Sequence, residues 1–126
     1  MKDAHALVGE AKQQIEEISV EASEQAIQQA DVVIDVREPG EYQQGHVPGA
    51  VNIPRGMLEF KLTATPELGS RDLGIVLYCK SSGRAALAAK SLKEMGYLNV
   101  KSIAGGIDAW QAAGKTVVKP ESLNYD

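Results

Sequence analysis

The chain contains one cysteine, Cys79, which closes the apolar run of residues 75–79. It opens the segment Cys79-Lys80-Ser81-Ser82-Gly83-Arg84, beyond which a helical pattern begins. A thiolate, not a thiol, is the nucleophilic form of cysteine, and nearby cations or oriented N–H groups favour it. Lys80 and Arg84 supply cations. Ser81, Ser82 and Gly83 are small enough to let the backbone curl, so that successive amides can face inward as an anion-binding nest. The helix start adds about 0.3–1 kcal/mol for an anion, or about 2 when partly buried, so nest and cations must supply most of the stabilisation. A blander reading competes with this one: free cysteine is among the most buried residue types, and Ser-Ser-Gly is ordinary turn sequence. Placement at a strand end, the cationic loop and the helix start together favour a reactive thiol.

That placement requires a strand before Cys79 and a helix after it. Residues 75–78 form the clearest strand, and residues 84–95 the clearest helix, stopped by Gly96. Further strands are expected over residues 31–37, 50–53 and 100–103. Further helices are expected over residues 20–30, capped by Ser19, and over 41–44, 57–62 and 107–113, with a loop at 63–72. Apolar positions Ala4, Leu7, Val8, Ala11, Ile15 and Ile18 make one helical stripe through residues 3–18. The chain therefore reads as an N-terminal amphipathic helix (residues 1–17) packed on one domain (18–118), followed by a polar tail (119–126). Strands alternating with helices argue for an α/β domain with a mainly parallel sheet, whose ligand sites form outside the carboxyl ends of the strands. Cys79 falls at such an end.

Composition narrows the function. The 126 residues, 44% hydrophobic and 24% charged, are ordinary for one soluble domain. The net charge of -4 gives no reason to expect nucleic acid. No apolar block reaches the length of a secretory signal or membrane span, so no membrane partner and a cytoplasmic location are expected. One cysteine excludes an internal disulfide or a multi-thiolate metal site, and His5 and His46 have no ligand spacing, so neither metal nor cofactor is expected.

The motifs, in order, are Asp35-Val36-Arg37-Glu38 with Glu41-Tyr42, Gly45-His46-Val47-Pro48-Gly49-Ala50, Asn52-Ile53-Pro54, the 79–84 loop, and Gly105-Gly106-Ile107-Asp108-Ala109-Trp110. This set resembles the rhodanese family over residues 18–114. The resemblance implies the rhodanese-like fold: α/β, a five-stranded mainly parallel sheet with helices on both faces. It also implies Cys79 as the catalytic nucleophile and residues 80–84 as a substrate-binding loop. The implied reaction is a sulfurtransferase's: sulfane sulfur passes from a donor such as thiosulfate, through a Cys79 persulfide, to cyanide, a thiol or a partner protein. Ser82 stands where many relatives carry glycine, which narrows the loop's freedom. Ala85 stands where Ser or Thr is common, which removes a hydroxyl that could donate to sulfur.

Other residues take supporting roles in this reading. Asp35 and Arg37 form an ion pair or hydrogen-bond anchor, and Glu41 shares that network. His46 stabilises its turn, because sulfur transfer needs no base once the thiolate exists. Gly105 and Gly106 permit close backbone approach beside the loop, and Trp110 packs in the core or at its rim. Two alternatives stay open. One is a non-catalytic binding or sulfur-sensing module of the same fold. The other is a phosphatase, although phosphatases sharing the fold place five residues between Cys and Arg against four here. One residue fewer removes up to roughly 3.3–3.6 Å of contour from the cradle.

Overall fold

The structure, a computed structural model, describes residues 1–120, so the expected polar tail falls, from residue 121 on, outside the described residues. Five parallel strands form the sheet: β1 (Glu16–Ile18), β2 (Val32–Asp35), β3 (Val51–Asn52), β4 (Gly74–Tyr78) and β5 (Asn99–Ile103). Their order is β1-β5-β4-β2-β3, with β4 central and buried at every residue. Parallel strands need crossovers and so carry helices on both faces, which is why residues 74–78 read as a continuous apolar run rather than an alternation.

Among the described residues, six α-helices flank the sheet: α1 (Ala4–Lys12), α2 (Val20–Gln29), α3 (Pro39–Gln44), α4 (Leu58–Ala64), α5 (Gly83–Glu94) and α6 (Gly106–Ala112). Successive strand residues point to opposite faces. Ile75, Leu77 and Cys79 enter one core layer with Leu58 and Leu62 of α4 and Ala85, Ala88 and Leu92 of α5. Val76 and Tyr78 enter the other with Ile107 and Trp110 of α6 and with Ala26 and Ile27 of α2. Cys79 thus emerges on the α5 side. Alanines at 85, 88 and 89 let α5 lie close to the sheet, and α1 packs in turn on α5, with Ala11 wholly buried. No helix among the described residues is long and apolar enough to cross a membrane.

The structure corrects the reading of residues 3–18 as a single helix. Asp3 caps α1, its Oδ1 accepting from Ala6 N at 2.9 Å, but α1 ends at Lys12 and residues 16–18 form edge strand β1, paired with Lys101, Ser102 and Ile103 of β5. Ile15 packs against the α5 layer and Ile18 against the α2 layer. A three-residue spacing that puts side chains on one face of a helix puts them on opposite faces of an extended chain. Free hydrogen-bonding groups on β5 offered Glu16-Glu17 a ladder despite their weak strand propensity. Residues 63–72 are also less irregular than expected, since α4 runs through Ala64 and a 3-10 turn covers residues 66–68.

Candidate active site

Cys79 lies one residue past the end of β4, with only 1% of its surface exposed. The α5 hydrogen-bond ladder starts with Ala86 N donating to Ser82 O at 2.9 Å. Amides 83–85, in the first turn, therefore have no carbonyl acceptor within the helix. The Ala85 amide donates to Cys79 Sγ at 3.4 Å, and charge at a helix start of this length favours an anion there. The sulfur's polar contact is thus a backbone N–H, which the alanine at position 85 provides as well as a serine would, while its methyl group fills the core.

The carbonyl side of the loop is held elsewhere. Ile107 N donates to Cys79 O at 2.9 Å and Asp108 N to Lys80 O at 3.1 Å, so the first amides of α6 draw these carbonyls away from the sulfur. Gly106 makes that approach possible. It adopts φ +55, and a β-carbon there would lie 2.5 Å from Ser81 O, 2.7 Å from Lys80 O and closer still to Cys79 O. Gly105, at φ +79, would instead crowd Ala109 of its own helix. Gly83, by contrast, is not among the positive-φ glycines, and its nearest neighbour is Val8 of α1.

Both loop cations have carboxylate partners. Lys80 Nζ meets Asp108 Oδ2 at 2.9 Å in an exposed pair. Arg84 donates from its two terminal nitrogens to the two carboxylate oxygens of Glu41, at 2.7 and 3.0 Å. Glu41 Oε1 also accepts from Glu38 N at 3.0 Å, closing the start of α3. Glu41 was expected to join the Asp35–Arg37 network. It instead links α3 to α5.

The Arg84 hydrogen bond holds the Glu41 carboxyl down to about 2 from its ordinary 4.5, against the opposing effect of burial. A carboxyl lowered on folding stabilises the fold above its unfolded value and loses that contribution as pH falls through the folded value. Wild-type stability should therefore drop between pH 4.5 and 2 more steeply than that of Glu41→Gln, when urea midpoints are compared across that window. Parallel pH profiles for the two proteins would contradict the assignment.

Beneath the site, Asp35 is wholly buried and accepts from Arg37 N (2.9 Å), Nε (3.0 and 3.1 Å) and a terminal nitrogen (2.7 Å). The same terminal nitrogen of Arg37 donates to Gly45 O at 2.7 Å, which fixes the following turn. Burial opposes the Arg37 charge, but the hydrogen bonds and charge of Asp35 outweigh it and raise an already high value. The His46 ring stacks on Tyr42 at 3.8 Å between centroids, and its main chain pairs with Val118. Tyr78 OH accepts from Val47 N at 3.0 Å on the sheet face opposite Cys79. The supporting residues therefore fall into groups: Gly106 abuts the loop itself, Gly105 abuts Ala109 of α6, and Asp35, Arg37 and His46 lie around the 45–50 turn. Trp110 donates from Nε1 to Thr116 O at 2.7 Å and packs in the α6 layer.

Besides the Glu41–Arg84 pair, two further contacts at the loop have no counterpart in the sequence reading. Asp108 as the partner of Lys80 could have been suspected from an acidic residue at a helix start beside a cationic loop. Lys12 Nζ, donating to Ser82 Oγ at 2.7 Å across 70 residues, has no local signal.

A rhodanese-like domain model matches residues 19–113. The chain belongs to the rhodanese-like family. Within that family it is 31% identical over 109 residues to a sulfurtransferase of Allochromatium vinosum, covering 85% of this chain and 98% of that protein. It is 34% identical over 102 residues to the thiosulfate sulfurtransferase GlpE of Pseudoalteromonas translucida, covering 76% and 89%. Among solved structures, a Rhodopseudomonas palustris protein described as a "Possible Tyrosine Phosphatase" superposes with a TM-score of 0.85 at 33% identity, covering 94% and 96% of the two chains. The family's five-stranded α/β fold and its sulfurtransferase relatives agree with what the motifs implied.

Proposed function

We propose that this rhodanese-like domain is a sulfurtransferase working through a persulfide on Cys79. The observation carrying the reading is the Cys79 sulfur at the start of α5, accepting from the Ala85 amide while the carbonyls of Cys79 and Lys80 are tied to α6. In the first step the Cys79 thiolate forms a bond to the outer sulfur of thiosulfate. The S–S bond of the donor breaks and sulfite leaves with the electron pair. In the second, cyanide, a thiolate or a partner protein's thiolate attacks the outer sulfur of the persulfide and restores the Cys79 thiolate. Covalent catalysis divides one transfer into two easier steps. First-turn amides of α5 stabilise both anionic forms in advance, as fixed dipoles that need no reorganisation. With one cysteine in the chain, an external acceptor must discharge the persulfide.

Four residues between Cys79 and Arg84, with Arg84 committed to Glu41 at both terminal nitrogens, favour a single sulfur over a phosphoryl group. Intact mass measured without reductant tests this. Incubated with thiosulfate alone, the protein should gain one sulfur atom per chain and lose it to cyanide, while Cys79→Ser gains nothing. Hydrolysis of an aryl phosphate should stay at background. Thiol-dependent phosphate release without sulfur uptake would replace the reading with the phosphatase, and absence of both would leave the binding module.

A further inference from the structure

Helix α1 lies outside the 19–113 match, yet it meets the loop at two points. Val8 Cγ2 lies 3.5 Å from where a β-carbon on Gly83 would stand, in ordinary packing contact. Lys12, in the last turn of α1, donates from Nζ to Ser82 Oγ at 2.7 Å. Ala11, beside it in sequence, is wholly buried and anchors that turn. Packing of α1 on α5 therefore sets the Lys12 backbone beside the loop, and the hydrogen bond to Ser82 places its ammonium there.

The cations around the loop differ in how far they are neutralised. Arg84 has both carboxylate oxygens of Glu41, and Lys80 has Asp108 at 2.9 Å. The closest partner of Lys12 is a neutral hydroxyl, with its nearest carboxylate, that of Glu17, at 3.6 Å. An incoming anion thus meets Lys12 as the least compensated of the three charges. Ser82 also occupies the N-cap position of α5, so its contact with Lys12 sits at the same helix start as the sulfur.

We propose that Lys12 of α1 is a specificity-determining residue for an anionic sulfur donor, joining the 79–84 loop from outside the matched domain. The inference rests on the sulfur-transfer reading for the identity of the donor. It does not rest on it for the attraction of anions toward Cys79.

Two measurements on the full chain test it with Lys12→Gln and Lys12→Arg. At low salt, Lys12→Gln should raise KM for dianionic thiosulfate about tenfold, the size of one positive charge acting on two negative charges several ångströms away in water-like surroundings. Its kcat should be unchanged, the difference should shrink at high salt, and Lys12→Arg should restore KM. A merely structural role would instead lower kcat and show no such salt dependence. Independently of turnover, Cys79 alkylation by monoanionic iodoacetate should slow relative to neutral iodoacetamide by about threefold in Lys12→Gln, since the lost charge then acts on one negative charge. An unchanged alkylation ratio would overturn the proposal. A lowered ratio in a protein that takes no sulfur from thiosulfate would support Lys12 as the anion-attracting group while removing sulfur transfer itself.

Discussion

Gly106→Ala is expected to lower sulfur transfer by on the order of a hundredfold or more, because a misplacement of about 1 Å at a reacting group has that effect. The added methyl group cannot turn aside, since the atoms it meets are the backbone carbonyls of Cys79, Lys80 and Ser81. Relief requires the loop and the start of α6 to separate. That breaks the hydrogen bonds from Ile107 N to Cys79 O and from Asp108 N to Lys80 O. Freed carbonyls would then be available to face the sulfur they now turn away from, where they would repel a thiolate or persulfide. Leaving such groups unsatisfied costs about 1–3 kcal/mol each, so thermal stability should fall as well. Gly105→Ala makes the comparison informative, because its added methyl meets Ala109 and not the loop. It should destabilise α6 with a smaller loss of transfer per unit of stability lost. Thiosulfate kinetics well below the melting temperature of each variant would decide the matter, and a folded Gly106→Ala with wild-type rates would defeat it.

The largest expected loss of stability comes from Arg37→Met. It leaves Asp35, with no exposed surface, charged and without its guanidinium partner, and it releases Gly45 O from its donor. Breaking a buried ion pair from one side costs about 3–5 kcal/mol. A domain of this size has roughly 5–15 kcal/mol in total, so most of the margin could go. Adding Asp35→Asn should recover much of the loss, since the amide oxygen can still accept from Arg37 N's counterpart at position 37 and no charge is left buried. Urea unfolding of the single and double variants supplies the measurement. A single variant less than about 1 kcal/mol below wild type would show that Asp35 finds compensation elsewhere.

What was legible in the sequence depended on how local the determining physics was. The strand before Cys79 and the helix after it were readable because burial on both faces of the sheet leaves a continuous apolar run, and α5 has no breaker before Gly96. The loop could be placed because it joins those two elements directly. Residues 15–18 were misread because the apolar spacing of a short segment fits two periods, and only the free edge of β5 decides between them. The partner choices of Glu41 and Lys12 were not readable, since the contacts span 43 and 70 residues and follow from where whole helices dock. The charge on the loop was visible in sequence, but its compensation by Glu41 followed only from the docking of α3 on α5, and that by Asp108 had only the weak signal of an acidic residue at a helix start.

The depth of Cys79 also governs which atom an acceptor can strike in the proposed cycle. Both sulfurs of a persulfide are electrophilic. Displacement at the inner one would expel hydrosulfide and leave the acceptor bonded to the protein as a mixed disulfide. Such a displacement needs a line of approach directly behind Sγ, and a cysteine packed in the core with 1% of its surface exposed leaves little room for one. The outer sulfur of a persulfide stands about 2.05 Å farther along the S–S bond, away from the backbone that buries Sγ. In the proposed cycle, close packing around a thiol with 1% of its surface exposed would act as a regiochemical filter, directing attack to the atom whose capture completes the transfer.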